Sequence, residues 1–598
     1  MKIRPRSLAL FVLVLSQVAT AQAPVQARIE RVQNGLLPPV LVKGDRAWTL
    51  QERMKYYKVP GVSIAVINDF KVEWAKGYGV KDIETNEPVT PETLFQAGSI
   101  SKSVAAMVAL KKVEQGKIAL DENINNKLTS WKLPDNQFTE KHKVTLANLL
   151  SHTGGLTVHG FPGYAIGEKI PTLPQVLDGA APANTAPVRV DTEPGVKHRY
   201  SGGGTTIAQL AIMDIEKKPY PQIALETVLR PLKMTSSTYE QPLPDEIRQK
   251  AASGHRSNGK LVEGKIHVYP EMAAAGLWTN PTDLAKFGIE VQLSLAGKSN
   301  KVLSRETATK MVTPFVEDFV GLGFFLEKHG AATYFGHGGA DEGFRAQLLV
   351  HRDKGYGAVV MVNSDNGQIM SEILRAIAKE YQWEDYLPAP VETVSVAPKV
   401  LEAYTGRFLV NPDRVLKITA ENGKLYGEPT QAAKFEMFPL SETSFLRTDS
   451  DVRYTFTRNE AGKVDQVVIR AGGPEAKARR VSDDFMVPFE QLKAGKGAEA
   501  IEGYRKIKRE TLGSVAVSEG RLNDLGYALL RENKIAEAIL VFKLNVEFYP
   551  QSANVYDSLG EAYLANGERE LAIANYKKSL EISPNNRGAL EVLKKLGH

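Results

Sequence analysis

The pattern of apolar and polar positions divides the chain into stretches of different period. Leu50 to Tyr57 reads as a short helix. Two β-rich runs follow, Gly61–Ile67 and Val72–Tyr78, joined by Asn68-Asp-Phe-Lys71, which predicts a hairpin. Helical runs and polar loops then dominate to about residue 310, among them Val104–Leu110 and Thr206–Met213. Strand-like runs return at Ala332–Phe335, Arg345–Val350 and Gly357–Val362, and a helix over Ile369–Tyr381 closes this part. Strands at both ends with helices between predict one α+β unit over residues 25–385, its antiparallel sheet assembled from both ends of the segment.

Beyond it, prolines punctuate a linker over 386–398, and residues 399–482 turn to short alternating runs such as Arg414–Thr419 and Val464–Ile469. Asn422-Gly423 and Ala461-Gly-Lys463 mark hairpin turns, so a small β-barrel or sandwich is expected. The last part repeats. Leu525-Gly526, Ala528, Leu530, Ala538-Ile539, Phe542-Lys543 and Pro550 recur 34 residues later as Leu559-Gly560, Ala562, Leu564, Ala572-Ile573, Tyr576-Lys577 and Pro584. That helix-turn-helix period is the tetratricopeptide signature, and a degenerate earlier unit is read over Phe489–Glu510, giving an all-α repeat region over 489–598. Two clear repeats are marginal as a free solenoid, so they are expected to pack on a neighbouring domain.

At 598 residues the chain is too long for one core. Lys2, Arg4 and Arg6 precede the apolar run Leu8–Leu15 and the small residues Ala19-Thr-Ala21, which reads as a secretory signal over 1–21. Cleavage after Ala21 suits better than after Ala23, which would leave Pro24 first. The reading implies a periplasmic or secreted protein with no membrane anchor after cleavage, since the apolar run is too short to span a bilayer. Loss of those three positive charges takes the formal net charge from +6 to +3, which gives no reason to invoke nucleic acid. The chain has no cysteine, which excludes disulfides, thiolate metal sites and a cysteine nucleophile.

The segment that carries chemistry is Phe95-Gln-Ala-Gly-Ser99-Ile-Ser-Lys102, at the entry to an apolar helix. Residues three apart share a helix face, so Lys102 can reach Ser99, and an adjacent amine can take the proton of a serine hydroxyl. The helix N-terminus adds N–H groups where an oxyanion would form. The alternative is a plain helix-capping serine. A second Ser-x-x-Lys, Ser257-Asn-Gly-Lys260, sits on an Asn-Gly turn and reads as ordinary loop. Tyr200 opens a glycine-rich turn, Tyr200-Ser-Gly-Gly-Gly204, ahead of a helix, and His337-Gly338-Gly339-Ala340 ends a strand. Each alone fits a packed aromatic or a structural histidine.

Together with Leu149-Leu-Ser-His152-Thr-Gly-Gly-Leu156 and Ala275-Gly-Leu-Trp-Thr-Asn-Pro-Thr-Asp283, these landmarks resemble the serine β-lactamase and penicillin-binding-protein superfamily in its class C-like branch. The resemblance implies Ser99 as acylated nucleophile, Lys102 as its proton partner and Tyr200 as proton shuttle. It places the oxyanion between the N–H groups of Ser99 and Ala340, and substrate along His337, Gly338 and Gly339. His152 is read as structural, and Asn280-Pro281-x-Asp283 as a helix cap. Tyr404-Thr-Gly-Arg-Phe408 resembles the opening strand of the lipocalin-like domain that follows many such enzymes.

Two departures matter. Gly202 stands where the family often has asparagine, and His337-Gly338 replaces a lysine and a hydroxyl residue that hold a substrate carboxylate. A histidine supplies positive charge only when protonated. The implied activity is therefore a serine hydrolase cleaving an ester or amide, including D-amino-acid peptides, rather than an efficient β-lactamase. The competing reading is a non-catalytic binder of peptidoglycan peptides or scaffold on a degenerate hydrolase fold. No cofactor is called for, and none of the ten histidines forms a His-x-x-x-His metal pair. The expected partners are a small ester, amide or peptide substrate and, through the repeats, another protein.

Overall fold

The computed structural model describes residues 24–511, 513–584 and 586–597, so the export signal read over 1–21 lies outside the described residues. The chain forms two compact units: the residues up to Pro39 with Asp45–Ala389, and Val40–Gly44 with the chain from Pro390 onward. No helix among the described residues is long and apolar enough to cross a membrane.

The first unit is built on a six-stranded antiparallel sheet. Its strands are β1 (Gly61–Asn68), β2 (Lys71–Gly79), β3 (Phe325–His329), β4 (Ala332–Asp341), β5 (Phe344–His351) and β6 (Gly357–Val362), in the order β2-β1-β6-β5-β4-β3. The two ends of this segment do meet in one sheet, with Ala65 paired to Val359 and Ile67 to Gly357. The β1–β2 turn holds Asp69 and Phe70 at φ 49° and 58°, the double positive φ of a tight hairpin turn. Edge strand β3 was not visible in the pattern. Glu327 and Lys328 are exposed on it, and an edge strand need not alternate cleanly.

Both faces of the sheet are covered, which is why β1 and β6 read as nearly continuous apolar runs. Val62, Ile64 and Val66 face one core, shared with the helices α1 (Leu50–Tyr57) and α6 (Gln368–Glu380). Ala65 and Ile67 face a larger core, packed by α2 (Ile100–Glu114), α3 (Gly202–Glu216) and α5 (Pro281–Leu295). The short helix α4 (Met272–Ala275) lies against α2 and α3. On the first face, Arg53 of α1 forks onto Glu372 of α6 through two bonds of 2.7 Å, and the Tyr57 hydroxyl adds a third.

In the second unit the β-rich segment is a closed barrel of eight strands, from Gly406–Asn411 to Ala476–Val481, so the barrel and not the sandwich forms. Tyr404 is not in the opening strand. It ends a helix, Pro398–Tyr404, and its buried ring stacks 4.2 Å from Phe456 inside the barrel, because Pro398 pre-sets a helical first turn. The repeat region is all helical. Phe542 packs on Gly526 and Tyr576 packs on Gly560, where a Cβ would lie 2.4 Å and 3.2 Å from the ring, so the recurring glycine is a seat for the recurring aromatic. The repeats pack on the barrel, where Arg407 bonds Glu490 at 2.6 Å and the Phe489 N–H donates to Asp413.

All five tryptophans, at 48, 74, 131, 278 and 383, belong to the first unit, so their fluorescence reports its unfolding alone. Glu372→Gln leaves the Arg53 charge buried without its partner and should cost about 3–5 kcal/mol in urea titrations followed by that signal. A loss below about 1 kcal/mol would show that the fork contributes little.

Candidate active site

Ser99 stands at the N-cap of α2, yet its side chain makes no capping bond. Lys102 Nζ donates to Ser99 Oγ at 2.9 Å and to the Ala274 carbonyl of α4 at 2.7 Å, which orients the lysine from both sides. Ser99 is half-buried while Lys102 is buried. The neighbouring serines are spent on the fold: Ser101 Oγ accepts from the Leu277 N–H, and Ser103 Oγ donates to the Gly323 carbonyl. The motif therefore contains one accessible hydroxyl next to an amine.

The Tyr200 ring lies over this amine, with Lys102 Nζ 5.1 Å from its centroid. Tyr200 precedes the cap of α3, where Ser201 accepts from the Gly204 N–H, and so it projects from a rigid helix entry. His152 tilts against the Tyr200 ring at 4.3 Å, and its Nδ1 accepts from the Ser201 N–H. Burial, then the charge of Lys102, holds the His152 imidazole well below its ordinary range, so it serves as a neutral wedge. Phe325 of β3 completes the wall, 6.1 Å from Tyr200 and 4.9 Å from His337.

His337 is buried on β4 beside the same tyrosine. Its Nδ1 lies 2.6 Å from the Gly338 carbonyl, which places the ring proton there and leaves Nε2 as a bare acceptor without a partner. Burial, helped by the Lys102 charge, lowers its pKa to about 3. Where a lysine would be a permanent cation, this site presents a neutral acceptor.

The two expected oxyanion donors converge by strand register. The Arg352 N–H bonds the Thr333 carbonyl, and antiparallel alternation then turns the even-numbered N–H groups of β4 away from β5. Strand β3 pairs only as far as Phe325 with Gly336, so Gly338 and Ala340 face the side without a strand partner. There the 97–99 turn lies directly on β4. A Cβ on Gly98, at φ +51°, would come within 2.4 Å of the Ala340 nitrogen, and one on Gly339 within 1.9 Å of the Ala97 carbonyl. The N–H groups of Ile100, Ser101 and Lys102 bond back to Ala97, Gly98 and Ser99. The Ser99 N–H precedes these in the chain and follows Gly98, the residue that lies against the Ala340 nitrogen.

Ser99, Lys102, Tyr200, His337, Gly338, Gly339 and Ala340 are thus brought together. The departures have local reasons. A side chain at Gly202 would meet the Phe161 ring at 2.9 Å, so the loop over 157–161 occupies the place of the missing asparagine. A Cβ at Gly338 meets only the flexible end of Gln347 at 3.3 Å, so that site is open. Asp283 is held by its helix cap, by Ser237 and by Lys286, and Ser257 sits on an exposed turn, so neither joins the site. Three polar side chains near the 97–99 turn went unread: Gln96, Glu271 and Asp341. None belongs to a spaced motif, though Asp341 directly follows His337-Gly-Gly-Ala340.

Residues 391–484 match a domain of unknown function, DUF3471, and residues 553–586 a tetratricopeptide repeat. Protein flp of Staphylococcus aureus (strain MW2) is 24% identical over 324 residues, 51% of this chain and 60% of that protein. The unguisins hydrolase ungD' of Aspergillus campestris is 26% identical over 341 residues, 54% of this chain and 61% of that protein. The chain thus spans about three fifths of the length of these curated relatives. Among solved structures, the octameric penicillin-binding protein homologue from Pyrococcus abyssi is 22% identical with TM-score 0.49, covering 72% of this chain and 98% of that one. The D-amino acid amidase from Ochrobactrum anthropi SV3 is 21% identical with TM-score 0.45, covering 56% and 94%. The beta-lactamase family model matches residues 48–382, more than half of the chain, a range that contains the site residues, and the chain belongs to that family.

Proposed function

We propose that this protein is an exported serine hydrolase that cleaves an ester or amide through an acyl-enzyme on Ser99. The observation that carries the reading is the 2.9 Å contact between Lys102 Nζ and an uncapped, half-buried Ser99 Oγ. In its neutral form the Lys102 amine accepts the hydroxyl proton as Oγ attacks the substrate carbonyl. The Ser99 and Ala340 N–H groups receive the developing oxyanion, and Tyr200 passes the proton to the leaving alcohol or amine. Water then attacks the acyl ester, its proton returns through the same groups, and Ser99 is released with the free acid. The non-catalytic alternative gains nothing from holding a lysine against a serine that caps no helix.

Substrate class follows from charge. A neutral His337, an open Gly338 and no amide at residue 202 leave β4 without the cation and the hydroxyl that would hold a substrate carboxylate. β-Lactams and peptides ending in a free carboxylate therefore lose charge-assisted contacts that contribute about 1.5–3 kcal/mol each. Neutral esters and amides do not.

Ser99→Ala should lower kcat/KM for p-nitrophenyl acetate at least about a thousandfold, and intact-mass analysis of quenched wild type should find the acetyl group on Ser99. Turnover within a few-fold of wild type would return the protein to the binder reading.

Gly338→Ser adds a hydroxyl where the strand has room, so the ratio of kcat/KM for the p-nitrophenyl monoester of succinate over the acetate should rise about tenfold, the equivalent of one such bond. An unchanged ratio would mean that the acyl chain does not pass Gly338.

His337 also shapes acid stability. Its folded pKa of about 3 lies below the unfolded value near 6.5, so the unfolded chain binds the extra proton between these limits and stability falls as pH drops from 6.5 toward 3. By pH 4 the loss attributable to this ring is about 3 kcal/mol. His337→Gln should therefore lose less stability than wild type between pH 7 and 4 when tryptophan fluorescence follows unfolding. Parallel curves would show that the ring charges freely in the folded protein.

A further inference from the structure

The mechanism accounts for Tyr200 but not for the rings that continue outward from it. Phe325 of β3 stacks 6.1 Å from the Tyr200 ring, and His198 stands 6.0 Å from Phe325. Phe319 follows, 5.1 Å from His198. Four rings thus form a continuous line whose inner end is the proton shuttle. Tyr200, Phe325 and His198 are half-buried, whereas Phe319 is 40% exposed. Burial lowers the His198 pKa from its ordinary value, against a smaller opposing pull from Glu317, so near neutral pH the imidazole is an uncharged ring.

A single exposed phenylalanine is ordinary on a protein surface. The way this one is held is not. Its carbonyl accepts from the Leu326 N–H of β3 at 2.8 Å, and the adjacent Val320 bridges to Phe325. Phe319 is therefore fixed beside the strand that carries Phe325. The Phe315 N–H closes the preceding turn on the Val320 carbonyl at 2.9 Å. Within that turn the Glu317 N–H bonds the Phe315 carbonyl at 2.8 Å across Val316, which sits at φ 66° and is 49% exposed. This is a γ-turn of the rare positive-φ kind, with a β-branched residue at its apex. Glycine or asparagine would hold the same backbone with less strain, and strain of this kind concentrates at ligand sites. Two apolar side chains thus stand in water on one short turn at the outer end of the ring line.

The inner end of the line decides what lies along it. The leaving oxygen must come within hydrogen-bond reach of the Tyr200 hydroxyl to receive its proton. The group attached to that oxygen is then the part of the substrate nearest the rings. Ring faces and a valine offer an alkyl chain apolar area to cover, and few bonds to a sugar or a peptide backbone. Glu317 on the same turn disfavours an anionic group.

We propose that Phe325, His198, Phe319 and Val316 form a leaving-group subsite for an alkyl chain, so that the preferred substrates are neutral esters of alcohols of about eight carbons. This rests on the acyl-enzyme reading above and narrows its substrate class.

The test compares kcat/KM of the full chain for ethyl acetate, octyl acetate and ethyl octanoate, each below its solubility limit. Ethanol and octanol are leaving groups of matched reactivity, so the longer alcohol changes contacts and not chemistry. Octyl acetate and ethyl octanoate are isomers that place the same chain on opposite sides of the ester. Each methylene taken from water is worth about fourfold, so with partial cover octyl acetate should exceed ethyl acetate at least about thirtyfold. It should exceed ethyl octanoate at least about tenfold. Phe319→Ser and Val316→Asn should each lower the octyl-to-ethyl ratio at least about threefold, the double variant further, and Phe319→Leu should retain most of it. Tryptophan fluorescence and Ser99 labelling by a fluorophosphonate establish that the variants are folded. A wild-type ratio near one, ethyl octanoate preferred over its isomer, or a ratio that survives in the double variant overturns the subsite. Ester turnover that persists in Ser99→Ala overturns the acyl-enzyme reading instead, and the subsite with it.

Discussion

The site depends on one close backbone approach, the 97–99 turn lying flat on residues 338–340 of the sheet. Gly98 and Gly339 make it possible, since a Cβ on either would sit inside a backbone atom of the other segment. This contact sets the Ser99 N–H beside the unpaired edge of β4 and starts α2 at the angle that brings Lys102 back over Ser99. Side-chain chemistry then adds to a geometry the main chain has already fixed.

Burial, more than pairing, sets the charges around that geometry. It keeps His152 and His337 neutral and holds Glu271 and Asp341 protonated near neutral pH. On β4 the buried His337 thereby stands as a neutral acceptor where a permanent cation would hold a carboxylate.

Much of this was legible in sequence, and the reason differs by element. β1 and β6 announce themselves because both faces are buried and the apolar run is unbroken. The repeats are plain because Gly526 and Gly560 must seat Phe542 and Tyr576 at a fixed spacing. Ser99 and Lys102 are readable because helical geometry alone brings them together. Tyr200 and Ala340 needed a resemblance, since strand register and loop packing position them. Strand β3 escaped because its outer positions are charged, and Tyr404 was misassigned because a proline-started helix precedes the barrel strand. Glu271 and Asp341 were invisible because burial, which no local pattern reports, gives them their character.

The most direct measurement is a crystal structure of the protein inactivated by an alkyl phosphonate, whose tetrahedral phosphorus mimics the attacked carbonyl. The account predicts phosphorus bonded to Ser99 Oγ, its oxygen within hydrogen-bonding distance of the Ser99 and Ala340 nitrogens, and Lys102 still against Oγ. Phosphorus on another residue, or on Ser99 with its oxygen turned away from Ala340, would contradict it.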